Sequence, residues 1–303
     1  MMGDIKTVGF IGIGNMGRPM AANLVKGGYQ VVLYDLDGKR AQQAASEIGA
    51  KAASTLAELG RQVDAIVTML PTGSAELMSI TIAPLGRFAA SAPPSVSSRQ
   101  ARTSLPVGTR QTHADLARRG LAFVDAPVSG GVPRATDGSL AIMIGGDKAA
   151  VELAKPVLGK MGTRLFDVGG PGNGHAMKAL NNFVAGTAFI AVSEALVVGE
   201  KFGLDPATMI DVMNVSTGKS FNTEHVAKQH VVSRQFASGF ALGLLAKDVK
   251  IAADLASAID VESPLTRLSS SLLGEARDTV GAEKDHTLAY TYWEARGKKA
   301  AAE

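Results

Sequence analysis

Hydrophobic positions along this chain follow two regimes. Up to about residue 168, short runs rich in β-branched residues alternate with stretches whose apolar positions recur every three to four residues. The run entering "GFIGIG" reads as a strand, Arg18 to about Lys26 as a helix, and "YQVVLYD" as a second strand. "VDAIVTMLP" (63–71) and "LAFVDAPVSGG" (121–131) read as buried parallel strands. Between them the pattern predicts a helix from Ser74 to about Ile80 and another over "THADLARRG" (112–120), stopped by Gly120. After an Asp137-Gly138 turn, "LAIMIGG" resumes as a strand. Such alternation predicts an α/β fold with a doubly wound parallel sheet.

Beyond residue 168 the helical period takes over. Residues from about His175 to Phe202 form one predicted helix roughly 40 Å long at 1.5 Å per residue, apolar over most of its circumference. A helix of that kind is buried on several sides, and is expected to join two domains and pack against a partner chain. "LDPATMIDVMN" opens with an Asp-Pro start signal, and "GFALGLLAKDVKIAADLASAI" is a further helical run. The expectation is a first domain over 1–168 and an all-α second domain over 169–303, because 303 residues exceed what one core usually holds.

Composition narrows the function. With 46% hydrophobic and 19% charged residues the chain is of ordinary globular type. Its formal charge is only +3, and Arg296, Lys298 and Lys299 sit in the tail, so there is no basic field for nucleic acid. No cysteine is present, which removes disulfides and thiolate metal sites, and the five histidines show no metal-ligand spacing. The start lacks a signal-peptide pattern, and no window looks close to the ~20 apolar residues of a membrane span. A cytoplasmic protein without metal, membrane or nucleic-acid partners is expected.

Three stretches carry candidate chemistry. In Gly12-Ile13-Gly14-Asn15-Met16-Gly17, Gly12 permits a tight turn, Gly14 lets a pyrophosphate approach the backbone, and Gly17 lets helix and strand pack closely. Asp35 follows Gly17 by eighteen positions, where a carboxylate can accept both ribose hydroxyls. This favours NAD over NADP, whose 2′-phosphate it would repel, although Lys39 and Arg40 lie close by. Leu70 and Pro71 fall at the carboxyl end of a strand, where ligands of such sheets lie. Ser129-Gly130-Gly131 offers converging N–H groups and a hydroxyl to a substrate carboxylate; taken alone it reads first as a plain tight turn.

The third stretch is "GNGHAMKALNN", in which Lys178 has no acidic residue inside the segment. Lys178 and Asn182 are four apart and share a helix face. An ammonium beside a carboxamide can act on the hydroxyl or carbonyl of a substrate, taking a proton in oxidation and returning it in reduction. The alternative is a lysine that snorkels from a helix end to water.

Four blocks, "GFIGIGNMGRPMAANL", "DAPVSGGVPRATDGSLAIMIGG", "GPGNGHAMKALNN" and "LLAKDVKIA", occur in the order found in the β-hydroxyacid dehydrogenase family, which this chain resembles over nearly its whole length. The resemblance implies an N-terminal Rossmann domain followed by an all-α domain joined by a long interdomain helix. It implies an NAD- or NADP-dependent oxidoreductase for a short 3-hydroxy acid, with 3-hydroxyisobutyrate the leading guess. By the same resemblance Lys178 transfers the proton with Asn182 beside it, and Ser129, Gly130 and Gly131 hold the substrate carboxylate. Lys247 and Thr103 approach the nicotinamide end, and Leu70 and Pro71 form a loop against the cofactor. Phe240, seven residues before Lys247, either walls that pocket or packs in the core. A homodimer or homotetramer is expected. Reduction of tartronate semialdehyde or another aldehyde acid uses the same apparatus, and a non-catalytic dinucleotide-binding protein is the rival of another class.

One segment departs from the pattern. "GRFAASAPPSVSSRQARTSL" (86–105) stands where the alternation calls for a buried strand, yet supplies prolines, serines and arginines. Either the segment is genuinely irregular or a compensated reading-frame error covers about fifteen residues; the role of Thr103 depends on which holds.

Overall fold

In a computed structural model the chain forms two compact units, Met1–Lys178 and Ala179–Glu303. The structure describes residues 5–72, 75–82 and 105–299, the side chains of 71, 72, 75–77, 298 and 299 excepted. Thr103 and the segment 86–104 therefore lie outside the described residues.

The first unit is built on strands β1 (Thr7–Ile11), β2 (Gln30–Tyr34), β3 (Lys51–Ala52), β4 (Ala65–Thr72), β5 (Ala75–Ile82), β6 (Ala122–Asp125), β7 (Val128–Ser129), β8 (Ala141–Gly146) and β9 (Arg164–Gly169). They pair in the order β3-β2-β1-β4-β5-β6-β8-β7, with β9 on β8. Successive residues of a strand point to opposite faces, and here both faces are covered. Phe10, Leu33 and Val67 join a cluster with Met20 and Leu24 of α1 (Gly17–Lys26) and Leu158 of α6 (Lys148–Leu158). Their neighbours Ile11, Val32 and Ile66 face a second cluster with Leu59 and Leu116.

The β3-β2-β1-β4 half is parallel, as expected. Beyond β4 the sheet is mixed where a parallel one is expected: β5 runs antiparallel to both β4 and β6, β8 antiparallel to β6 and β7, and β9 parallel to β8. The helix expected from Ser74 to about Ile80 is replaced by β5, with Ser74 itself outside the described residues. In "MSITI" (78–82) the apolar side chains alternate, so Met78, Ile80 and Ile82 all enter the core, and Thr68 and Ser79 satisfy each other at 2.8 Å across the strand pair. Between "DAPVS" and β8 a short helix, α5 (Gly131–Asp137), occupies the stretch between the glycine turn and Gly138.

Three more helices of this unit, α2 (Gly38–Ile48), α3 (Leu56–Gly60) and α4 (Leu105–Ala117), follow β2, β3 and the undescribed segment. The long helix is α7 (Asn173–Phe202), 30 residues or about 45 Å. Its first six residues close the first unit and the remainder opens the second. An 18-residue window of α7 has a mean hydropathy of 1.6, long and apolar enough to cross a membrane. That corrects the expectation that no window approaches a span. The side chains of Phe189, Ile190, Val192 and Leu196 instead enter the core of the second unit, which is how a core helix passes the same test.

In the second unit α7 packs with α8 (Pro206–Asn214), a π-helical stretch Thr223–Val232, α9 (Leu242–Ala258), α10 (Pro264–Val280) and α11 (Tyr290–Lys299) around Trp293, Leu245 and Leu273. Asp205 caps α8 by accepting from Thr208 N–H at 2.8 Å, as the Asp-Pro signal predicts. The loop ahead of α9 is pinned by Asp285, which accepts from Ser238 Oγ (2.9 Å) and Gly239 N–H (2.7 Å), and by His286 N–H, which donates to the Phe240 carbonyl at 2.8 Å. Phe240 is half-buried and packs against this core, in line with the packing alternative.

Burial pushes the His286 imidazole below its ordinary value of 6.5, with the Asp285 charge opposing that shift. The unfolded chain therefore takes up a proton at a pH where the folded one still refuses it, so stability falls as pH drops below about 6.5. Urea midpoints at pH 7.5 and 5.5 will show that loss, and His286→Gln will flatten it.

Candidate active site

Backbone geometry makes the nucleotide loop. Gly12 has φ +95°, and a Cβ there would stand 2.2 Å from the Met69 carbonyl oxygen; one on Gly17 would stand 1.9 Å from the Gly12 oxygen. Only glycine fits either position, so α1 starts directly against β1 and β4. Gly14, by contrast, has nothing within 4 Å of a Cβ, and together with Asn15 it is exposed. Ile13 and Met16 are buried, so neither puts a bulky side chain over the loop. The loop thus offers an open, side-chain-poor approach to the start of α1, the shape a pyrophosphate requires. Leu70 closes its side, 3.0 Å from the position of a Gly12 Cβ. Pro71 continues β4, but its side chain is outside the described ones.

Asp35 has a structural task of its own. One oxygen accepts from Ile13 N–H at 2.8 Å and the other from Asp37 N–H at 2.9 Å, so this carboxylate ties the end of β2 to the glycine loop. Arg40 lies 3.5 Å from Asp35 and 3.6 Å from Asp37. Asp37 in turn caps α2 through the N–H groups of Lys39 and Arg40, both at 3.1 Å.

The glycine turn after β7 also depends on backbone freedom. Gly130 and Gly131 have φ of +137° and +66°, and a Cβ on Gly130 would meet the Arg134 side chain at 2.5 Å. Ser129 pairs with Ala141 of β8, which fixes where the turn leaves the sheet. Four residues upstream, Asp125 is fully buried and accepts from Gly172 N–H and His175 N–H, each at 2.8 Å. The beginning of α7, and with it the half-buried Lys178, is thereby attached to the strand that leads into the turn.

Within the second unit Asn182 is 8% exposed and donates to Asp248 at 2.5 Å. The other oxygen of Asp248 receives Lys247 at 2.6 Å, both side chains being 12% exposed. One buried carboxylate therefore orients both the amide on α7 and the ammonium on α9. Asn182 also accepts from Asn181 at 3.0 Å. This leaves Asn182 with a fixed orientation one helical turn after Lys178, on the same face of α7.

The described candidates thus fall in two groups. Gly12 to Gly17, Asp35, Leu70, Ser129 to Gly131 and Lys178 belong to the first unit; Asn182 and Lys247 belong to the second. Asp125 and Asp248 were not singled out as site residues, although both stand inside blocks that carried the resemblance. Their signal was an acid within an apolar run, "FVDAP", and an acid next to a lysine within one, "LAKDV". Among the described residues no cluster of His, Asp or Glu forms a metal site.

The family model described as the NAD binding domain of 6-phosphogluconate dehydrogenase matches residues 7–170, and that described as NAD-binding of NADP-dependent 3-hydroxyisobutyrate dehydrogenase matches 172–293. The 2-(hydroxymethyl)glutarate dehydrogenase of Eubacterium barkeri is 33% identical over 287 residues, 95% of this chain and 94% of the relative. The 3-hydroxyisobutyrate dehydrogenase of Pseudomonas aeruginosa is 35% identical over 273 residues, covering 88% and 90%. A solved 3-hydroxyisobutyrate dehydrogenase of Mycobacterium tuberculosis with L-serine superposes with a TM-score of 0.78 at 29% identity, over 96% of this chain and 99% of that one. Two matched family regions and near full-length relatives named as dehydrogenases lead to one conclusion: this chain is an NAD(P)-dependent enzyme of the β-hydroxyacid dehydrogenase family.

Proposed function

We propose that the protein oxidises the hydroxyl-bearing carbon of a short 3-hydroxy acid with NAD, 3-hydroxyisobutyrate being the leading substrate, and runs the reverse reduction with the same residues. The reading is carried by the juxtaposition in one unit of a glycine turn suited to a carboxylate and the start of the helix bearing Lys178. In this reading residues 1–168 serve as the dinucleotide-binding domain and 169–303 as the substrate and oligomerisation domain, with the first six residues of α7 packed into the first unit.

In this scheme Ser129 and the N–H groups of Gly130 and Gly131 receive the substrate carboxylate. Lys178 takes the hydroxyl proton as the carbonyl forms, and gives it back in reduction. Asn182, held by Asp248, serves the reacting oxygen, and Lys247, Leu70, Pro71 and Thr103 are assigned to the cofactor by the family resemblance. Bound NAD supplies the acceptor for the hydride. Asp35 receives the adenosine ribose on the acceptor capacity left by Ile13 and Asp37.

NADH formation at alkaline pH across 3-hydroxyisobutyrate, L-serine, 2-(hydroxymethyl)glutarate and the alcohol of tartronate semialdehyde tests this directly. Turnover should be fastest on 3-hydroxyisobutyrate and fall by roughly 10²–10⁴ in Lys178→Ala, with NADH affinity unchanged. Preference for the tartronate pair would reassign the substrate, and full activity in Lys178→Ala would remove the lysine from the chemistry.

The cofactor choice has its own test. Asp35→Ser removes the charge that would repel a 2′-phosphate and frees Arg40 to meet one. The ratio of kcat/KM for NADP over NAD should rise by about tenfold or more, on the order of one charged hydrogen bond; an unchanged ratio would place discrimination elsewhere.

A homo-oligomer also follows from this reading. Leu180, Val184, Val198 and Phe202 recur at helical spacing on α7 and are 41%, 64%, 68% and 85% exposed in the single chain. Light scattering should give a dimer or tetramer, and Val198→Glu should shift it toward monomer.

A further inference from the structure

Asp125 is the most completely buried acid near the proposed site, and neither the nucleotide nor the substrate has a use for it. It has no exposed surface, sits at the last position of β6, and its two oxygens each receive one N–H from the beginning of α7: Gly172 on Oδ1 and His175 on Oδ2, both at 2.8 Å. Glycines around it leave no room for slack. A Cβ on Gly174 would lie 2.6 Å from the Met143 carbonyl oxygen and 2.8 Å from Asp125 Oδ2. One on Gly145 would lie 2.7 Å from Asp125 Oδ1. Gly145 is also the register partner of Asp125 in the β6–β8 pair, so the carboxylate, the strand ends and the helix start form one close-packed block.

The imidazole of His175 completes that block. The Thr109 hydroxyl of α4 lies 2.8 Å from the Leu105 carbonyl oxygen and 2.9 Å from His175 Nδ1. That ring nitrogen lies 3.7 Å from Asp125 Oδ2. The histidine is held in orientation by α4 on one side and faces the acid on the other.

We infer that Asp125 is a positioning residue for the proposed proton transfer: it sets the register between the carboxylate-binding turn that begins four residues after it and the lysine that stands three residues after His175. An anion at a helix start stabilises that end through the first N–H groups. Here it does so from the strand that also delivers Ser129, so one side chain fixes both ends of the distance a substrate must span. A lysine misplaced by an ångström costs about 10² in rate while leaving dinucleotide binding intact.

This inference rests on the proposed role of Lys178, and its test separates the two. Asp125→Asn keeps the shape but turns an NH2 group toward one of the two helix N–H donors. Expected are an NADH dissociation constant within about twofold of wild type and a kcat lowered ~10–100-fold with a smaller change in KM. The deciding measurement is the double mutant with Lys178→Ala. If Asp125 acts through the lysine, Asp125→Asn slows the wild type but adds no further loss to Lys178→Ala. Should Asp125→Asn fail to fold, Thr109→Val, which removes the hydroxyl shared by His175 Nδ1 and the Leu105 carbonyl, takes its place with a smaller loss and the same non-additivity. Losses that multiply with those of Lys178→Ala, or a wild-type kcat in the tested variant, overturn the positioning role. Full activity in Lys178→Ala alone would instead sink the reading on which it rests.

Discussion

The first unit is organised by backbone approaching backbone where no Cβ can stand. Gly12 and Gly17 let the start of α1 press onto β1 and β4, and Gly145 and Gly174 let the start of α7 press onto β6 and β8. In both places a buried or nearly buried carboxylate collects the N–H groups so exposed: Asp35 from Ile13 and Asp37, Asp125 from Gly172 and His175. The pattern is the same twice over. Glycines bring the chain close, and an acid at a strand end satisfies the polar groups that closeness strips of water.

Those acids divide the chemistry between them. Asp35 remains partly accessible, with its side chain 11% exposed, and can still take a ligand; Asp125 is closed off and can only hold. In the second unit Asp248 plays the holding part again, receiving Asn182 and Lys247 at once. Buried charges of this kind are costly unless every lone pair is used. Here each is met by two donors or more, so the acid keeps its ion-pairing and hydrogen-bonding partners in fixed positions instead of attracting water.

Much of this was legible in the sequence because glycine spacing encodes backbone conformation directly. GxGxxG, the SGG turn, the Asp-Pro helix start and the 3.6 period of α7 each report a local geometry, and each element stands where the pattern placed it. What could not be read were partners remote in sequence. Asp125 reaches 47 and 50 residues ahead, and Asp248 reaches back 66 to Asn182, so no window around either acid shows what it holds in place on α7. β5 failed for another reason. Its alternation is confined to five residues, "MSITI", preceded by helix-forming Ala-Glu-Leu, and strand direction leaves no mark on a short run.

The antiparallel setting of β5 also bears on how the sheet assembles. Two parallel neighbours are joined only after a crossover of roughly a dozen residues or more. β4 and β5 instead pair Thr72 with Ala75 and zip outward to Ala65 with Ile82. The centre of the sheet is thus its most local contact, with the smallest loop to close. Local pairings lower the chain entropy lost on closure, so the pair at the middle of the sheet, with β1 and β6 on its two sides, is also the one that costs the chain least to bring together.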